Sequence, residues 1–554
     1  MRSRAPLLAA TMMAGLSACA STPEPVTSAP VATVLAQPAG APDLLVVISV
    51  DQLSSQLMAE YLPLMSGGLK RIASQGTYFA NGYQAQAATE TCPGHSTILT
   101  GSLPARTGIV ANDWLEMARG EGAKVYCAED PDRRGEWGDR DVISDRHLLV
   151  PTLGTFLKRA DARSRNIAVA GKDRAAVMLS GHDADQRWWW GPDGWMTDLA
   201  PPAPAVVSSA TVSTRNLLDA GSAGLQIPPY CAGKPVVEVE NRGRVGNDPL
   251  GWEPGNYRQF RASPAYDGAI LALGAQFIDS MELGQGEAPD LLSLGLSATD
   301  YVGHKFGPQG GEMCLQMFAL DRNLEGFLSY LDGRGLDYAV VLTSDHGGQP
   351  IPERLRLQGV EASRIAEGFV RSVHAPVVEA LGLEANQIKT VEPGIPGDIY
   401  VDPTLDAAVR NEAIARLQAG YAADPQVEAV FRRDQIMAVP IPQGDPSGWS
   451  LIQRVRASYH PARSGDVYVV LKQFVTPIEE PMESYMATHG TVWDYDRRVP
   501  MAFYRPGAAA LARHDAVRTV DILPTVARHL GISLGGAQID GVCLDGVHGV
   551  RCVD

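Results

Sequence analysis

The stretch Leu336-Asp-Tyr-Ala-Val-Val-Leu-Thr-Ser-Asp345-His346-Gly-Gly348 decides the fold. Tyr338 to Thr343 is a short apolar run rich in β-branched residues, the pattern of a parallel strand buried on both faces. It stops at Ser-Asp-His, and two glycines follow. In open α/β sheets ligands bind beyond the carboxyl ends of strands, so the pattern aims Asp345 and His346 into a crevice. Taken alone, the pair fits a capped strand end as well as it fits a metal site.

Two other stretches have the same grammar. Leu44-Leu-Val-Val-Ile-Ser-Val50 is an apolar run that ends in Asp51. Asp290-Leu-Leu-Ser-Leu-Gly-Leu296 is followed by Ser-Ala-Thr-Asp300-Tyr-Val-Gly-His304. Asp300 and His304 are four apart, so one helical turn sets them on the same side. Three strands that each deliver carboxylate or imidazole ligands at their carboxyl ends predict an α/β protein with a central, mostly parallel sheet. Helices would cover both faces, and insertions would cap the site.

The 554 residues, 45% hydrophobic and 20% charged, suit a large globular chain. The net charge of -16 argues against a nucleic-acid binder, which would present a basic face. A local cationic site for an anionic small molecule stays compatible with it. Residues 1–20 read as a signal peptide: Arg2 and Arg4 precede a short apolar core, and Leu16-Ser-Ala-Cys19 fits a lipoprotein cleavage box. Ala18-Cys-Ala20 also fits ordinary cleavage, so a lipid anchor at Cys19 and free release are both open. Residues 21–42, rich in Pro, Ala, Ser and Thr, read as a flexible linker. The expectation is an exported protein, periplasmic, secreted or anchored to the outer membrane through Cys19, and monomeric.

Six cysteines remain beyond Cys19, an even number that suggests disulfides in an oxidising compartment. Cys543 and Cys552 bracket a short Gly-containing loop and are the first pair expected. Cys92–Cys127 and Cys231–Cys314 would complete one of the 15 connectivities that six cysteines allow.

Along the chain, Leu57 to Gln75 reads as one amphipathic helix ending at Gly76. In Thr91-Cys-Pro-Gly-His95 a helix is expected to start near Pro93, with Thr91 just ahead of it, facing free backbone N–H groups. Thr91 could serve there as a cap or beside an anion. Asn166 to Ala170 is a strand followed by Gly-Lys172-Asp-Arg174, two cations that could clamp an anion or lie in a solvated turn. Arg187-Trp188-Trp189-Trp190 either walls a cleft or packs an insertion onto the sheet. Pro201 to Ala262 reads as loop, within an insertion at about 183–262; a second insertion spans about 349–481. In the latter, Thr404 would cap a helix from Leu405 to Tyr421. Val517 to Leu530 reads as a C-terminal helix.

Taken together, the strand ending in Asp51, Thr91-Cys-Pro-Gly-His95, Asp300-x-x-x-His304, Asp345-His346-Gly-Gly, His489-Gly490 and Asp521-Ile-Leu-Pro-Thr525 resemble the alkaline phosphatase superfamily. The set is most similar to the bacterial exported alkaline phosphatases with a threonine nucleophile, near the nucleotide pyrophosphatase/phosphodiesterase branch. The resemblance covers about Asp43 to Leu530, within a catalytic domain at 43–554. It implies two zinc ions: one held by Asp300, His304 and His489, the other by Asp51, Asp345 and His346 with Thr91. It implies Thr91 as nucleophile, with Asn112, Lys172 and Arg174 binding the phosphoryl group of a small-molecule monoester. The chemistry wants such a set independently, since paired metals can bind the attacking and leaving oxygens of an in-line displacement. Classical members use serine and a magnesium; here no third carboxylate cluster is visible and Lys172 matches that charge. Sulfatases need Cys or Ser in C/S-x-P-x-R, whereas here Thr and His95 hold the first and fifth positions. The rival activity is phosphodiester hydrolysis; the rival class is a non-catalytic metal- or phosphate-binding lipoprotein. Whether calcium binds in the acidic surface loops is open.

Overall fold

The computed structural model describes residues 40–117, 123–133, 142–200, 202–392 and 394–552, all within one compact unit, Ala36–Asp554. The signal peptide and most of the linker lie outside the described residues. Five parallel strands form the centre of a ten-stranded sheet, in the order Tyr338–Thr343, Leu44–Val50, Asp290–Leu296, Asn166–Ala170, Gln186–Gly191. Arg498–Tyr504 joins antiparallel beside Tyr338–Thr343 and carries Thr77–Tyr83 beyond it. The expected fold class holds: the sheet is mostly parallel and covered on both sides.

The apolar runs explain the layering. Leu44, Val46, Ile48 and Val50 point into one core with the helices Pro264–Ser280 and Gly311–Arg334. Leu45 and Val47 point into the other, against Ile98, Phe156 and Leu523. Every residue of Leu44–Val50 is buried, which is why the strand lacks the alternation of a half-exposed one. The 349–481 stretch carries its own four-stranded sheet, with antiparallel pairing throughout, and its own core around Phe369, Ile399, Leu417 and Val469.

Four local expectations differ. Leu57–Gln75 is broken into Ser55–Tyr61, a 3-10 turn at Leu62–Leu64 and a second helix, Gly68–Gln75. Pro63 lacks an N–H, and the Asp321 carboxylate of a distant helix accepts from Gly67 N and Lys70 N, starting the new helix there. Within 201–262 stands a helix of 16 residues, Ala205–Ala220. Its buried stripe, Val207, Ala210 and Thr214, is masked by Ser and Thr on the other faces. Asp406, not Thr404, caps the helix Ala407–Ala422, because Thr404 bonds back to Asp402. Val517–Arg518 is a strand paired with Gly82–Tyr83, and the C-terminal helix begins only at Ile522.

All three disulfides pair as expected: Cys92–Cys127, Cys231–Cys314 and Cys543–Cys552. The tryptophans pack: Trp188, Trp190 and Trp195 lie in the main core, while Trp189 faces the other side. Arg187 among them is buried in an ion pair with Asp198. No helix of the described residues is long and apolar enough to cross a membrane.

Candidate active site

The carboxyl ends of the parallel strands converge. Asp51 follows Leu44–Val50, and Asp345 and His346 follow Tyr338–Thr343. Asp300 and His304 sit on the helix Ala298–Phe306 after Asp290–Leu296, and Lys172 follows Asn166–Ala170. His489 arrives from a loop after the 349–481 stretch. Thr91 is the first residue of the helix Thr91–Ile98, with Glu90 as its N-cap, so it lies one step inside the helix instead of before it. That helix seats directly on the strand end: a Cβ on Gly94 would lie 2.1 Å from the Asp345 carbonyl oxygen, so only glycine permits the approach.

The sequence-predicted residues come together. Within 4.8 Å of one another lie ligand atoms of Asp300, His346 and His489, and likewise those of Asp51, Asp345 and His346. His304 Nε2 is 3.2 Å from Asp300 Oδ1, and the His346 and His489 rings stack at 3.7 Å. His346 thus belongs to both groups. Lys172 Nζ is 2.6 Å from Asp51, 2.6 Å from Asp300 and 3.3 Å from the Thr91 hydroxyl, and the Arg174 guanidinium reaches within 3.5 Å of that hydroxyl. Asn112, Lys172 and Arg174 line a cleft of about 510 Å³ with His304 and His489. The 349–481 stretch contributes Ile395, Pro396, Tyr468 and Pro477 to the same lining.

The donor set fits divalent metal. Each imidazole has its Nδ1 on a backbone carbonyl: His304 on Ala487, His346 on Gly347 and His489 on Thr89, all at 2.8 Å. This fixes the tautomer that presents the Nε2 lone pair inward, the support that metal-binding histidines generally have. Burial holds His346 below the ordinary histidine range. Burial, with His346 and His304 beside it, holds His489 well below. Both rings are therefore neutral and ready to ligate. Burial and the neighbouring Asp300 and Asp345 push the Asp51 carboxyl well up, against the pull of the Lys172 ammonium, the sign of like charges crowded together. Asp51 Oδ1 and His346 Nε2 are buried, lack hydrogen-bond partners and face each other at 3.5 Å. Two acceptors at that separation want a cation. Burial alone would discharge Lys172, but Asp300 and Asp51 outweigh it and keep the ammonium charged.

Sequence reading missed the residues that hold these groups. Gln52, in the left-handed region at φ 68°, gives its N–H to Asp345 (3.1 Å) and its side-chain amide to Asp300 (2.8 Å). A non-glycine residue at positive φ straight after a strand end is a structural outlier that no sequence pattern announces. Glu90 accepts from Asn112 N at 2.7 Å. His95 Nδ1 lies 2.9 Å from the Thr91 carbonyl and 3.1 Å from Asp345 Oδ2, which makes it a helix-start partner rather than a facing ligand.

Residues 45–492 match the family model described as Type I phosphodiesterase / nucleotide pyrophosphatase. The chain is 44% identical over 514 residues to alkaline phosphatase PhoK of a Sphingomonas species, covering 92% of each. It is 40% identical over 508 residues to alkaline phosphatase PhoD of Zymomonas mobilis, covering 91% of this chain and 88% of the relative. The crystal structure of alkaline phosphatase PafA superposes with a TM-score of 0.79 at 24% identity, covering 91% of this chain and 99% of that one, a likeness of fold. By strand order, by the motifs it gathers and by these matches, the chain belongs to the Type I phosphodiesterase / nucleotide pyrophosphatase family, within the alkaline phosphatase superfamily.

Proposed function

We propose that this protein is a phosphomonoesterase, an alkaline phosphatase that converts small-molecule phosphate monoesters to an alcohol and inorganic phosphate. The alkaline phosphatases PhoK and PhoD, similar over nearly the whole chain, support monoester hydrolysis. One observation carries the reading: the Thr91 hydroxyl lies between the Lys172 ammonium and the Arg174 guanidinium, at the mouth of a nest of carboxylates and imidazoles. A monoester dianion needs that concentration of positive charge more than a diester monoanion does.

Asp300, His304 and His489 would hold one divalent ion, and Asp51, Asp345, His346 and Thr91 the other; three imidazoles and three carboxylates suit zinc. When bound, the pair would act as Lewis acids toward the attacking and leaving oxygens. Lys172, Arg174 and the Asn112 amide grip the non-bridging oxygens and orient phosphorus toward Thr91. The Thr91 hydroxyl, stripped of its proton, attacks; the Thr91 O–P bond forms, the P–O bond to the alcohol breaks, and the alcohol leaves with a proton. Water then attacks the phosphothreonine from the opposite face, releasing phosphate and restoring the hydroxyl. The Lys172 charge next to Thr91 favours the alkoxide throughout.

A phosphodiesterase reading draws on Ile395, Pro396 and Pro477, an apolar wall that a second ester group could use. Turnover of p-nitrophenyl phosphate beside bis-p-nitrophenyl phosphate at alkaline pH separates the two. Dominant monoester turnover, lost on chelation and restored by zinc, upholds the proposal; dominant diester turnover replaces it. We place the enzyme, as a monomer, outside the cytoplasm. There it would be released after signal cleavage or tethered through a lipid at Cys19 by residues 21–42; the three disulfides support an oxidising compartment.

A further inference from the structure

A cavity of about 620 Å³ shares Lys172 and Arg174 with the catalytic cleft but none of the six metal-type ligands. Its walls include Trp189, Trp190, Tyr257, Tyr301 and Arg261. Nothing in the hydrolysis of a simple monoester uses these five residues.

Arg261 is the unusual member. Its guanidinium is sandwiched between aromatic faces, 4.3 Å from the Tyr301 ring centre and 4.7 Å from that of Tyr257. It donates to the Tyr301 hydroxyl at 3.2 Å, yet its Nε is buried with no hydrogen-bond partner. Among the described residues it forms no ion pair; burial works against its charge, and the surrounding Tyr301, Tyr257 and Tyr266 work for it. Two other cations nearby are paired, Arg187 with Asp198 and Asp145 and Lys172 with Asp51 and Asp300, while Arg174 keeps a buried, unpartnered Nε beside Asp173; Asp173 and Asp198 are the carboxylates that line the cavity. Stacking on tyrosine faces offsets part of the cost of burying a cation, but it leaves in-plane donors beyond the one given to Tyr301, Nε among them, unused. A planar fork of donors in a cavity wall, short of a counter-charge, matches a phosphate or phosphonate oxygen pair.

Position makes the site part of the enzyme. Lys172 Nζ lies 5.2 Å from the centre of the same Tyr301 ring, so the catalytic cation and Arg261 are separated by one aromatic side chain. Tyr301 directly follows Asp300 in the helix Ala298–Phe306. We propose that Arg261 is the anchor of a second anion subsite, which binds a phosphate-like dianion at the far end of an extended phosphomonoester. The body of that substrate would lie along Trp190 and Tyr257. The subsite rests on the roles given above to Lys172 and Arg174, and it makes Arg261 a specificity residue that takes no part in the bond chemistry.

The test compares alkyl phosphates of three to seven carbons with the same phosphates bearing a terminal phosphonate, which resists hydrolysis. The wild type is expected to favour at least one phosphonate-bearing substrate about tenfold, through KM. Arg261→Gln is expected to lose that preference and turn over the plain alkyl phosphate within about twofold of wild type. Arg261→Lys should retain part of the preference. Should Arg261→Gln fold poorly, binding of pentane-1,5-bisphosphonate to wild type and Arg261→Lys gives the same comparison without turnover. If inorganic phosphate inhibits the wild type with a non-competitive component that Arg261→Gln loses, and no phosphonate preference exists, free phosphate is the occupant and the anion site stands. No preference at any length, with phosphate inhibition unchanged by Arg261→Gln, overturns the site. Failure of plain alkyl phosphate turnover in the wild type would instead strike the phosphatase reading. Bisphosphonate binding would still decide Arg261.

Discussion

The backbone N–H of Cys92 donates to the side-chain oxygen of Asn112 across 2.9 Å. Because that donor is unambiguous, the amide orientation follows: Asn112 turns its NH₂ away, toward the cleft it lines. Two further ties hold the residue. Glu90 accepts from its backbone N–H, and Cys127 N donates to its carbonyl at 2.9 Å, with Cys127 bonded to Cys92 itself.

The disulfide should therefore matter to phosphate binding as well as to stability. Closing 35 residues of chain stabilises by about 3–4 kcal/mol through the unfolded state. The Cys92→Ser/Cys127→Ser pair is expected to lower Tm and, at a temperature where it is folded, to weaken inorganic phosphate inhibition by about tenfold. Loss of Tm with an unchanged inhibition constant would reduce the bond to a staple.

Thr91→Ala is expected to abolish turnover of p-nitrophenyl phosphate, whereas Thr91→Ser, which keeps the hydroxyl, should retain a large part. Acid quench of the wild type should trap phosphothreonine, absent in Thr91→Ala. Removing Lys172 and Arg174 together should cost monoester turnover at least about tenfold more than diester turnover, since each charged hydrogen bond contributes roughly 1.5–3 kcal/mol. Equal losses would contradict the monoester assignment.

Gln52 orients two carboxylates through Asp345 and Asp300. Gln52→Ala is expected to weaken metal retention about 10–100-fold, as removal of ligand-supporting partners generally does. The readout is the chelator concentration that removes bound zinc. Chelation itself should lower Tm, because it leaves Asp51, Asp300 and Asp345 buried without their cations. A chelated protein with the Tm of the untreated one would contradict the metal assignment.

Asp267 gives a pH test away from the catalytic residues. Burial pushes its carboxyl up to about 7, against the hydrogen bonds from Ala298 N and Gln316. The folded state thus holds a proton that the unfolded chain releases near pH 4. Stability from this group is present in acid and falls as pH rises from about 4 to about 7, by on the order of 4 kcal/mol. Asp267→Asn should flatten that slope and raise Tm relative to wild type at pH 8. Its oxygen can still accept from Ala298 N, and the Gln316 oxygen, now without a partner, can turn to accept from the new amide. A wild-type Tm that does not fall between pH 5 and 8 relative to Asp267→Asn would refute it.

The strands that build the site were legible because their signal is local. A run such as Leu44–Val50, apolar at every position but Ser49, reads as buried on both faces, and a carboxylate at its end projects past the sheet. The break at Pro63 was less legible because its cause, the Asp321 carboxylate, lies more than 250 residues away along the chain. The helix Ala205–Ala220 escaped for the opposite reason: its buried stripe is narrow, and Ser and Thr around it imitate a loop.

From the sequence alone followed the sheet, the strand ends, the helix beside Thr91 and the identity of the polar groups at its centre, since each depends on neighbours a few residues away. Only the tertiary structure decided how those groups address one another. It put His346 within reach of both sets of carboxylates, turned the Asn112 amide, set Gln52 at positive φ across two aspartates and stacked Arg261 on the ring beside Lys172. Those relationships depend on side chains brought within a few ångströms from positions up to hundreds of residues apart, where burial removes the water that would otherwise satisfy each charge. Which charge then meets which partner is a property of the folded core, not of any stretch of chain.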